Sequence, residues 1–370
     1  MIYFDTAASY PVLPEVKVAI AEAFNSSYAN SSSSHKLGEE VALSVDKVRG
    51  QLAGEIGAYP SEIVFTSGAT ESNNIAFKSL LPNLSSSDSK HIVTTEIEHK
   101  CIFSICNYLE SIGYKISYVK PDKSGVINTD AIEKALTLET VLVSVMHVNN
   151  ELGTINPIGD IGRLCNEKDV LFHSDGAQSF MKVDIDVDEL NVDVMSFSAH
   201  KIGGPKGIGA VYIRDLRNRE LTPVIHGAGQ ENGVRGGTVA SPLISGFSSA
   251  IKNFPRYYED FKKTKASEFL LAELDRCRVE YKRNGSNFSL SSCLSLTLFS
   301  TNVTQLIREN ENLFCLAQGS ACSSKEIEAS HVLTAISLSR EEAEKTLRIS
   351  FPLDITKENI TELVEVVRRY

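Results

Sequence analysis

Short apolar segments rich in valine and isoleucine alternate with helical segments from about residue 50 onwards. In the segment 158–168, for example, Ile158, Ile161 and Cys165 recur at helical spacing and share one face. Buried parallel strands have this apolar composition, and helices are the usual connections between them. The pattern therefore predicts an α/β fold with a mostly parallel sheet covered on both faces. The seven predicted strands span residues 62–66, 91–94, 115–119, 141–148, 170–174, 192–197 and 209–213.

The regular alternation of short apolar strands and helical segments ends at about residue 245. Ser339 and Glu342 have the spacing of a capping box, which marks the start of a helix. This later part predicts helices at 257–278 and 356–369 and strands at 294–298 and 346–351. We therefore expect two domains: a large one of residues 14–245, and a smaller α+β domain of residues 1–13 and 246–370.

The composition is that of an ordinary soluble enzyme. Of 370 residues, 42% are hydrophobic and 23% charged, and the net charge of −10 argues against nucleic-acid binding as the main function. No signal-peptide pattern opens the chain, and no apolar run approaches the length of a membrane helix. The seven cysteines are odd in number and scattered, as expected of reduced thiols in the cytoplasm. We expect a cytoplasmic protein without a membrane segment.

One group of residues contains the side chains that commonly bind metal ions. His99, Cys101 and Cys106 lie close together in sequence, but their spacing matches no zinc signature and no second pair of ligands accompanies them. The sequence therefore predicts no metal.

Small and polar residues follow the first predicted strand. Gly68, Ala69 and Thr70 could offer backbone N–H groups and a hydroxyl to a phosphate at the start of a helix. The alternative is a simple helix cap, which this stretch alone favours. His99 and Asn150 follow two later strands, where a structural histidine and an Asx-turn are the alternatives to catalysis and binding.

Asp175 and Lys201 follow two further strands. A carboxylate at the end of a buried strand is costly unless it meets a cation. Lys201 lies directly after its strand, where a desolvated amine can act as a nucleophile, whereas Lys206 lies between glycines in a turn. A reactive lysine, a carboxylate for a ring nitrogen and a phosphate cradle are together what pyridoxal phosphate needs. We therefore predict this cofactor.

A thiol without bulky neighbours lies near the end of the chain. Cys322 stands in GSACSS, whereas a structural cysteine is usually found in an apolar periodic run. The surrounding small residues predict an accessible, mobile loop that carries this thiol.

Several stretches, in order along almost the whole chain, resemble the NifS/IscS-type cysteine desulfurases, which are fold-type I pyridoxal phosphate enzymes related to class-V aminotransferases. They are FTSGATESNN, EIEHK, MHVNNELGTINPI, FHSDGAQS, SFSAHKIGGPKGIGA, VRGGT, GSACSS and TLRIS. The resemblance implies the PLP-transferase fold, pyridoxal 5′-phosphate as cofactor and L-cysteine as substrate. It also implies a homodimer and a sulfur-acceptor protein as partners.

The resemblance implies a role for each matching residue. Lys201 would link covalently to the cofactor, Asp175 would pair with its ring nitrogen, Gln178 with its ring hydroxyl, and His99 would stack on the ring and move protons. Ala69, Thr70, Ser198 and His200, with Thr238 of the partner subunit, would hold the phosphate. Asn150 and Arg348 would bind the substrate carboxylate, and Cys322 would accept the sulfur as a persulfide. The opening FDTAASYP and the segment ANSSSSH depart from the usual family pattern, which leaves the subgroup and the physiological acceptor open.

Other functions remain open at this point. One is another enzyme of the same family, a selenocysteine lyase or an aminotransferase. A second is a desulfurase dedicated to tRNA or DNA sulfur modification rather than to iron–sulfur cluster assembly. A third is a catalytically silent scaffold that binds a sulfur-acceptor protein.

Overall fold

The computed structural model describes residues 1–81, 90–255, 265–318, 320–321 and 328–370, with backbone alone at 320, 321, 328 and 329. Its strands, in chain order, are β1 (Ile2–Tyr3), β2 (Ile63–Thr66), β3 (His91–Thr95), β4 (Lys115–Val119), β5 (Thr140–Ser144), β6 (Leu171–Asp175), β7 (Val194–Ser198), β8 (Gly209–Ile213), β9 (Tyr281–Asn284), β10 (Cys293–Leu298), β11 (Phe314–Cys315), β12 (Ala317–Gln318), β13 (Ser320–Ala321), β14 (Glu328–Ala329) and β15 (Thr346–Ser350).

The helices enclose these strands. They are α1 (Pro14–Ser26), α2 (Lys36–Gly54), α3 (Ala69–Lys78), α4 (Lys100–Ser111), α5 (Thr129–Ala135), α6 (Ile158–Glu167), α7 (Ser241–Asn253), α8 (Ala266–Arg276), α9 (Val303–Glu309), α10 (His331–Ala335), α11 (Arg340–Glu344) and α12 (Lys357–Val367). Short 3-10 turns lie at Pro60–Glu62, Ala199–Ile202, Leu216–Asn218 and Glu231–Gly233. Among the described residues, no helix is both long and apolar enough to cross a membrane.

The large sheet has the predicted seven strands, in the order β2-β8-β7-β6-β5-β3-β4. Only β8 runs antiparallel to its neighbours, so the prediction of a mostly parallel sheet is confirmed. The strand predicted at 141–148 ends at Ser144, although Val145 and His147 still donate hydrogen bonds to the carbonyls of His173 and Asp175 (3.1 Å each). The apolar segment therefore continues beyond the end of the strand, because the residues after Ser144 remain buried although the regular strand pairing has ended.

A second sheet, of order β12-β15-β10-β9, is antiparallel throughout. It has its own core, which includes Leu296, Leu347 and Leu363. The predicted capping box before α11 is confirmed, because the Ser339 hydroxyl accepts from Glu342 N and the Glu342 carboxylate accepts from Ser339 N. The predicted helix at 257–278 is described only from residue 265, and α8 begins at Ala266.

The division into two domains remains our proposal, with one change to the boundary drawn from sequence. Residue 245 falls inside the continuous helix α7, and Phe247 and Phe254 pack in the core of the large sheet. We therefore place the boundary after Phe254 instead, since a cut at 245 would divide one packed helix. Segment 332–343 also contributes apolar side chains to that larger core.

The first thirteen residues connect the two sheets. Strand β1 pairs with β11, and Asp5 forms a bridge with Ser350 at the end of β15. Farther along, Tyr10 N and Leu13 N donate to the carbonyls of His200 and Gly203 (2.9 and 3.0 Å), beside the large sheet. This amino-terminal segment therefore passes the carboxyl ends of the large sheet's strands.

Candidate active site

A cavity of about 520 Å³ lies at the carboxyl edge of the large sheet. Strands β2, β3, β5, β6 and β7 all run in one direction, so the residues that follow them meet at this edge. Ten of the predicted site residues line the cavity: Ala69, Thr70, His99, Asn150, Asp175, Gln178, Ser198, His200, Lys201 and Arg348. The cavity thus brings together predicted site residues that are up to 279 positions apart in the sequence (348 − 69).

Two predicted site residues are not among those that line the cavity. Thr238 is exposed in this single chain, beyond the 3-10 turn at Glu231–Gly233. Cys322 lies outside the described residues. The prediction that its loop is mobile concerns the same residues and stays a prediction. The strands that precede and follow it, β13 and β14, pair with each other in antiparallel register.

Lys201 occupies the 3-10 turn directly after β7. Its Nζ donates to the carbonyls of Ala7 and Ala8, at 2.7 and 2.9 Å. Burial first, and then the positive charge of Arg348, lowers the pKa of Lys201 to about 8. The neutral amine that a nucleophile requires is therefore the minor form near neutral pH, but far more of it is present than in an ordinary lysine.

Asp175 is the last residue of β6 and is held from both sides. Its Oδ1 accepts from Ala177 N at 2.9 Å, and its Oδ2 accepts from the side-chain Nδ2 of Asn73 at 2.8 Å. Asn73 is fully buried, and its own Oδ1 has no partner among the described residues. The sequence did not identify Asn73, because its position on helix α3 gave no sign that it reaches across to β6.

Helix α3 presents its amino end to the same cavity. Its N-cap is Gly68, and no side chain caps the first turn, so its early N–H groups can receive an anion. Gly68 has φ of 147°, a conformation that only glycine adopts readily. Glu71, also in the first turn, is tied back by hydrogen bonds to Arg235 Nε (2.8 Å) and Ser67 N (2.7 Å). Burial opposes ionisation of Glu71, but these bonds prevail and lower its pKa.

Two histidines face the cavity in their neutral forms. His99 caps helix α4, and its Nδ1 accepts from Cys101 N at 3.2 Å, so the ring proton is on Nε2. Desolvation by the surrounding protein is the main cause that lowers its pKa, and Asp175 acts in the opposite direction. Burial, with Lys201 and Lys206 nearby, lowers the pKa of His200 to about 4.

Arg348, on strand β15, brings the second sheet to the cavity. Its Nη1 donates to the carbonyl of Asn150 at 3.0 Å, and its Nη2 donates to Asp5 Oδ1 at 2.7 Å. The buried Nε has no partner among the described residues. The guanidinium is thus fixed by two contacts and still has a donor to offer. Asp5 was not identified from sequence, since it lies 343 residues from Arg348.

Gln178 is held by the amino-terminal segment and by a second lysine. Its Nε2 donates to Ala7 O at 2.7 Å, and its Oε1 accepts from Lys182 Nζ at 3.1 Å. Lys182 is only 5% exposed, and burial lowers its pKa to about 7. The sequence gave no signal for Lys182, because no periodicity shows that it is turned inward.

Cys101 also lines the cavity, although its thiol is inert at neutral pH. Burial, followed by the nearby Asp175, raises its pKa to about 11. Asn73 Nδ2 lies 3.3 Å from its Sγ. Within the described ranges, no cluster of three or more His, Cys, Asp or Glu side chains could hold a metal ion.

Comparisons with known proteins give one consistent result. The family model described as Aminotransferase class-V matches residues 2–363. The protein named cysteine desulfurase IscS of Rickettsia bellii is 39% identical over 372 residues, which cover 99% of this chain and 90% of the relative. The mitosomal cysteine desulfurase of Encephalitozoon cuniculi is 38% identical over 378 residues, 99% of this chain and 87% of its own.

The solved structures agree. A structure described as SspA in complex with cysteine is 43% identical to this chain and superposes with a TM-score of 0.86. The match covers 95% of this chain and 99% of that one. Sequence and fold are therefore similar over nearly the full length.

Proposed function

Because the chain belongs to the aminotransferase class-V family and, within it, to the NifS/IscS-type cysteine desulfurases, we propose that it removes sulfur from L-cysteine. The products are L-alanine and a persulfide on Cys322, so the thiol gains one sulfur atom and the substrate keeps its hydrogens. The observation that carries the proposal is that Lys201, Asp175 and Arg348 line one cavity. The enzymes of this family depend on pyridoxal phosphate, and the fold is their fold type I.

The residues present fit pyridoxal phosphate. The uncapped start of α3, with Thr70, Ser198 and His200 close by, suits its phosphate. Asp175, whose two oxygens are already oriented by Ala177 and Asn73, suits a protonated ring nitrogen. When bound, the cofactor supplies an electron sink for the bonds broken at the substrate. His99 lines the same cavity and covers the ring in our proposal.

The substrate carboxylate is assigned to Arg348 and Asn150. A guanidinium binds a carboxylate through parallel N–H donors. Arg348 lines the cavity, and its Nη1 and Nη2 each carry a second N–H beyond the bond to Asn150 or Asp5. Asp5 Oδ1 and the carbonyl of Asn150 hold the guanidinium in place. This contact orients the amino acid, so that its amino group is directed toward the lysine side of the cavity.

Proton transfer is assigned to Lys201 and His99. Once free, Lys201 removes the α-proton of the substrate, and its pKa of about 8 matches this task near neutral pH. His99 carries its proton on Nε2, and it can pass that proton to a group in the cavity. Cys322, as the thiolate, then attacks the sulfur of the substrate.

The central experiment measures alanine and sulfide after L-cysteine is mixed with the holoenzyme. We expect Cys322→Ala to keep the visible cofactor band, at about 400 nm as pyridoxal phosphate chemistry implies, and to lose sulfide release. The matched control is Cys277→Ala, which removes a half-buried thiol on the second sheet's side of the molecule. Unchanged turnover in Cys322→Ala would instead point to an aminotransferase or a selenocysteine lyase. Absence of the band in the wild type would favour the scaffold.

We also propose that the enzyme is a homodimer in which Thr238 of the partner subunit completes the phosphate site. In the single chain Thr238 is exposed, and helices α1 and α2 expose large apolar side chains at Val18, Phe24 and Leu43. Subunit mixing tests this arrangement. Lys201→Ala and Thr238→Arg are each expected to be inactive, whereas a mixture of them regains activity because a hybrid dimer contains one intact site. No recovery after exchange would contradict a shared site.

The acceptor and the location are further proposals. We propose a sulfur-acceptor protein that serves iron–sulfur cluster assembly or thiolation, with the enzyme in the cytoplasm. Transfer of ³⁵S from labelled cysteine to proteins retained by the enzyme tests the first, and cell fractionation tests the second. Labelling of a tRNA- or DNA-modifying protein alone would assign the enzyme to that pathway.

A further inference from the structure

Lys182 is a buried amine without an acidic partner. It is 5% exposed, and within the described part of the chain no carboxylate forms an ion pair with it. The titratable groups that act on it are Lys201 and Cys293, of which the first disfavours its charge. A buried ammonium group without a counterion is costly. Such a residue is explained when it fills a role that an apolar side chain could not fill.

Two contacts orient the amide of Gln178, one from Lys182 and one to the carbonyl of Ala7. Ala7 O can only accept, so the atom that faces it is the amide nitrogen, and Lys182 Nζ donates to the amide oxygen, Oε1, at 3.1 Å. The amide nitrogen is therefore on the other side, where one of its N–H groups is bonded to Ala7 O at 2.7 Å. The second N–H stays available to an acceptor, and Gln178 lines the large cavity.

Lys182 itself does not line that cavity. It borders a separate space of about 10 Å³, which holds at most one water molecule. The other groups around that space are mainly hydroxyls and amides, with the thiol of Cys293: Thr6, Ala7, Asn149, Asn150, Gln178, Leu290, Ser292, Cys293 and Ser350. Burial raises the pKa of Cys293 to about 11, so this thiol offers Lys182 no negative charge. Lys182 therefore does not reach the large cavity itself, and its hydrogen-bond contact with a residue that lines the cavity is the one to Gln178.

We propose that Lys182 is a positioning residue that fixes the amide of Gln178 with its nitrogen, not its oxygen, toward the phenolic oxygen of the cofactor. This inference rests on the proposed function. A donor at this place stabilises the negative charge on the phenolic oxygen. If the amide turned round, its oxygen would face that charge and destabilise it.

The orientation has a measurable effect on the cofactor. A hydrogen bond donated to the phenolic oxygen makes the neighbouring linked nitrogen of Lys201 release its proton more easily. Without the bond, the pH midpoint of the change in the cofactor's absorbance rises. We expect a rise of about one pH unit, a tenfold change in proton affinity, for the loss of one bond to a charged group.

The experiment titrates the absorbance of the holoenzyme with pH. Lys182→Met, which keeps the volume but removes the donor, is expected to raise the midpoint, whereas Lys182→Gln, which keeps a donor, stays near the wild type. In a Gln178→Leu background, Lys182→Met should add no further shift, because its effect passes through Gln178. An unchanged midpoint in folded Lys182→Met, or a full shift in the Gln178→Leu background, overturns the inference.

Two more variants apply if Lys182→Met does not fold. Lys182→Arg keeps the donors and should keep the midpoint, whereas Lys182→Glu replaces a donor by an acceptor and should raise it. The reverse result, or no difference between them, overturns the inference. The proposed function fails separately, when the wild type shows no cofactor band or forms no alanine.

Discussion

Asn73 donates a hydrogen bond of 2.8 Å to the side chain of Asp175 across 102 residues of sequence. The bond joins the first helix after β2 to the end of β6, and both groups are buried. It leaves Asp175 with a fixed carboxylate in the part of the cavity where we place the cofactor's ring nitrogen.

The first prediction concerns this bond. Asn73→Leu removes the donor while keeping the size of the side chain, so Asp175 keeps only the bond from Ala177 N. We expect the Kd for pyridoxal phosphate to rise about tenfold, which is the size of effect that residues supporting a ligand commonly have. Titration of the apoprotein, followed by absorbance, measures it. The control is Asn74→Leu, whose side chain donates to Thr70 O; equal Kd values for the two variants would contradict the prediction.

The second prediction concerns the pH dependence of Lys201. Its pKa is lowered to about 8, chiefly by burial and then by Arg348, so the reactive neutral amine is the minor form below pH 8 and the major form above it. The rate at which the apoprotein takes up pyridoxal phosphate should therefore rise with pH and level off above about 8. Stopped-flow absorbance measures this rate.

A matched variant tests the cause of that midpoint. Arg348→Met removes the positive charge that disfavours protonated Lys201, so the midpoint should move to higher pH. A rate that keeps rising to pH 10 in the wild type would show that the amine is not perturbed.

The third prediction concerns the substrate carboxylate. Arg348→Met should raise the KM for L-cysteine about 100-fold, since a charged bidentate contact contributes roughly 3 kcal/mol. Cysteamine, which lacks the carboxylate, should bind equally to wild type and variant, as measured by its inhibition constant. Arg340→Met, at an exposed pair on helix α11, is the control with no expected effect. A similar loss for cysteamine would mean that Arg348 supports the cavity instead of binding the carboxylate.

The fourth prediction concerns stability. Arg49 and Glu231 form two hydrogen bonds of 2.8 and 2.9 Å between helix α2 and the 3-10 turn at Glu231–Gly233, with side chains only 12% and 4% exposed. Glu231 also accepts from Phe65 N on β2. Glu231→Ala should lower the free energy of unfolding by about 3–5 kcal/mol, because Arg49 loses its buried bidentate partner and is left with the 3.4 Å contact to the exposed Asp46. Glu344→Ala, from the exposed pair with Arg340, should cost less than about 1 kcal/mol in the same urea titration; equal losses would contradict the prediction.

The large sheet could be predicted because its strands are short apolar runs between helices. The seven strands were placed within a few residues, and the largest difference, at β5, arose because apolar residues continue after Ser144. Hydrophobicity indicates that a residue is buried. A buried segment can stop pairing with the neighbouring strand while its composition stays apolar.

The sequence predicted those site residues that lie at the end of a strand or directly after it. Asp175 and Lys201 are of this kind, because sheet geometry alone brings their positions together. Asn73, Asp5 and Lys182 could not be found in this way. Each acts through a contact that depends on how a helix or the amino-terminal segment packs, which no local pattern encodes.

The path of the amino-terminal segment has a practical consequence for labelling and shortening the protein. Met1 is exposed and precedes β1, which pairs with β11, so a tag attached there starts from the protein surface. Removal of the first eight residues is different. It would delete the carboxylate that orients Arg348 and the carbonyls that hold Lys201, while every residue assigned to cofactor or substrate remained in place. A chain shortened in this way would keep all the sequence motifs of the site, but its cavity would lack the side that Ala7 and Ala8 form.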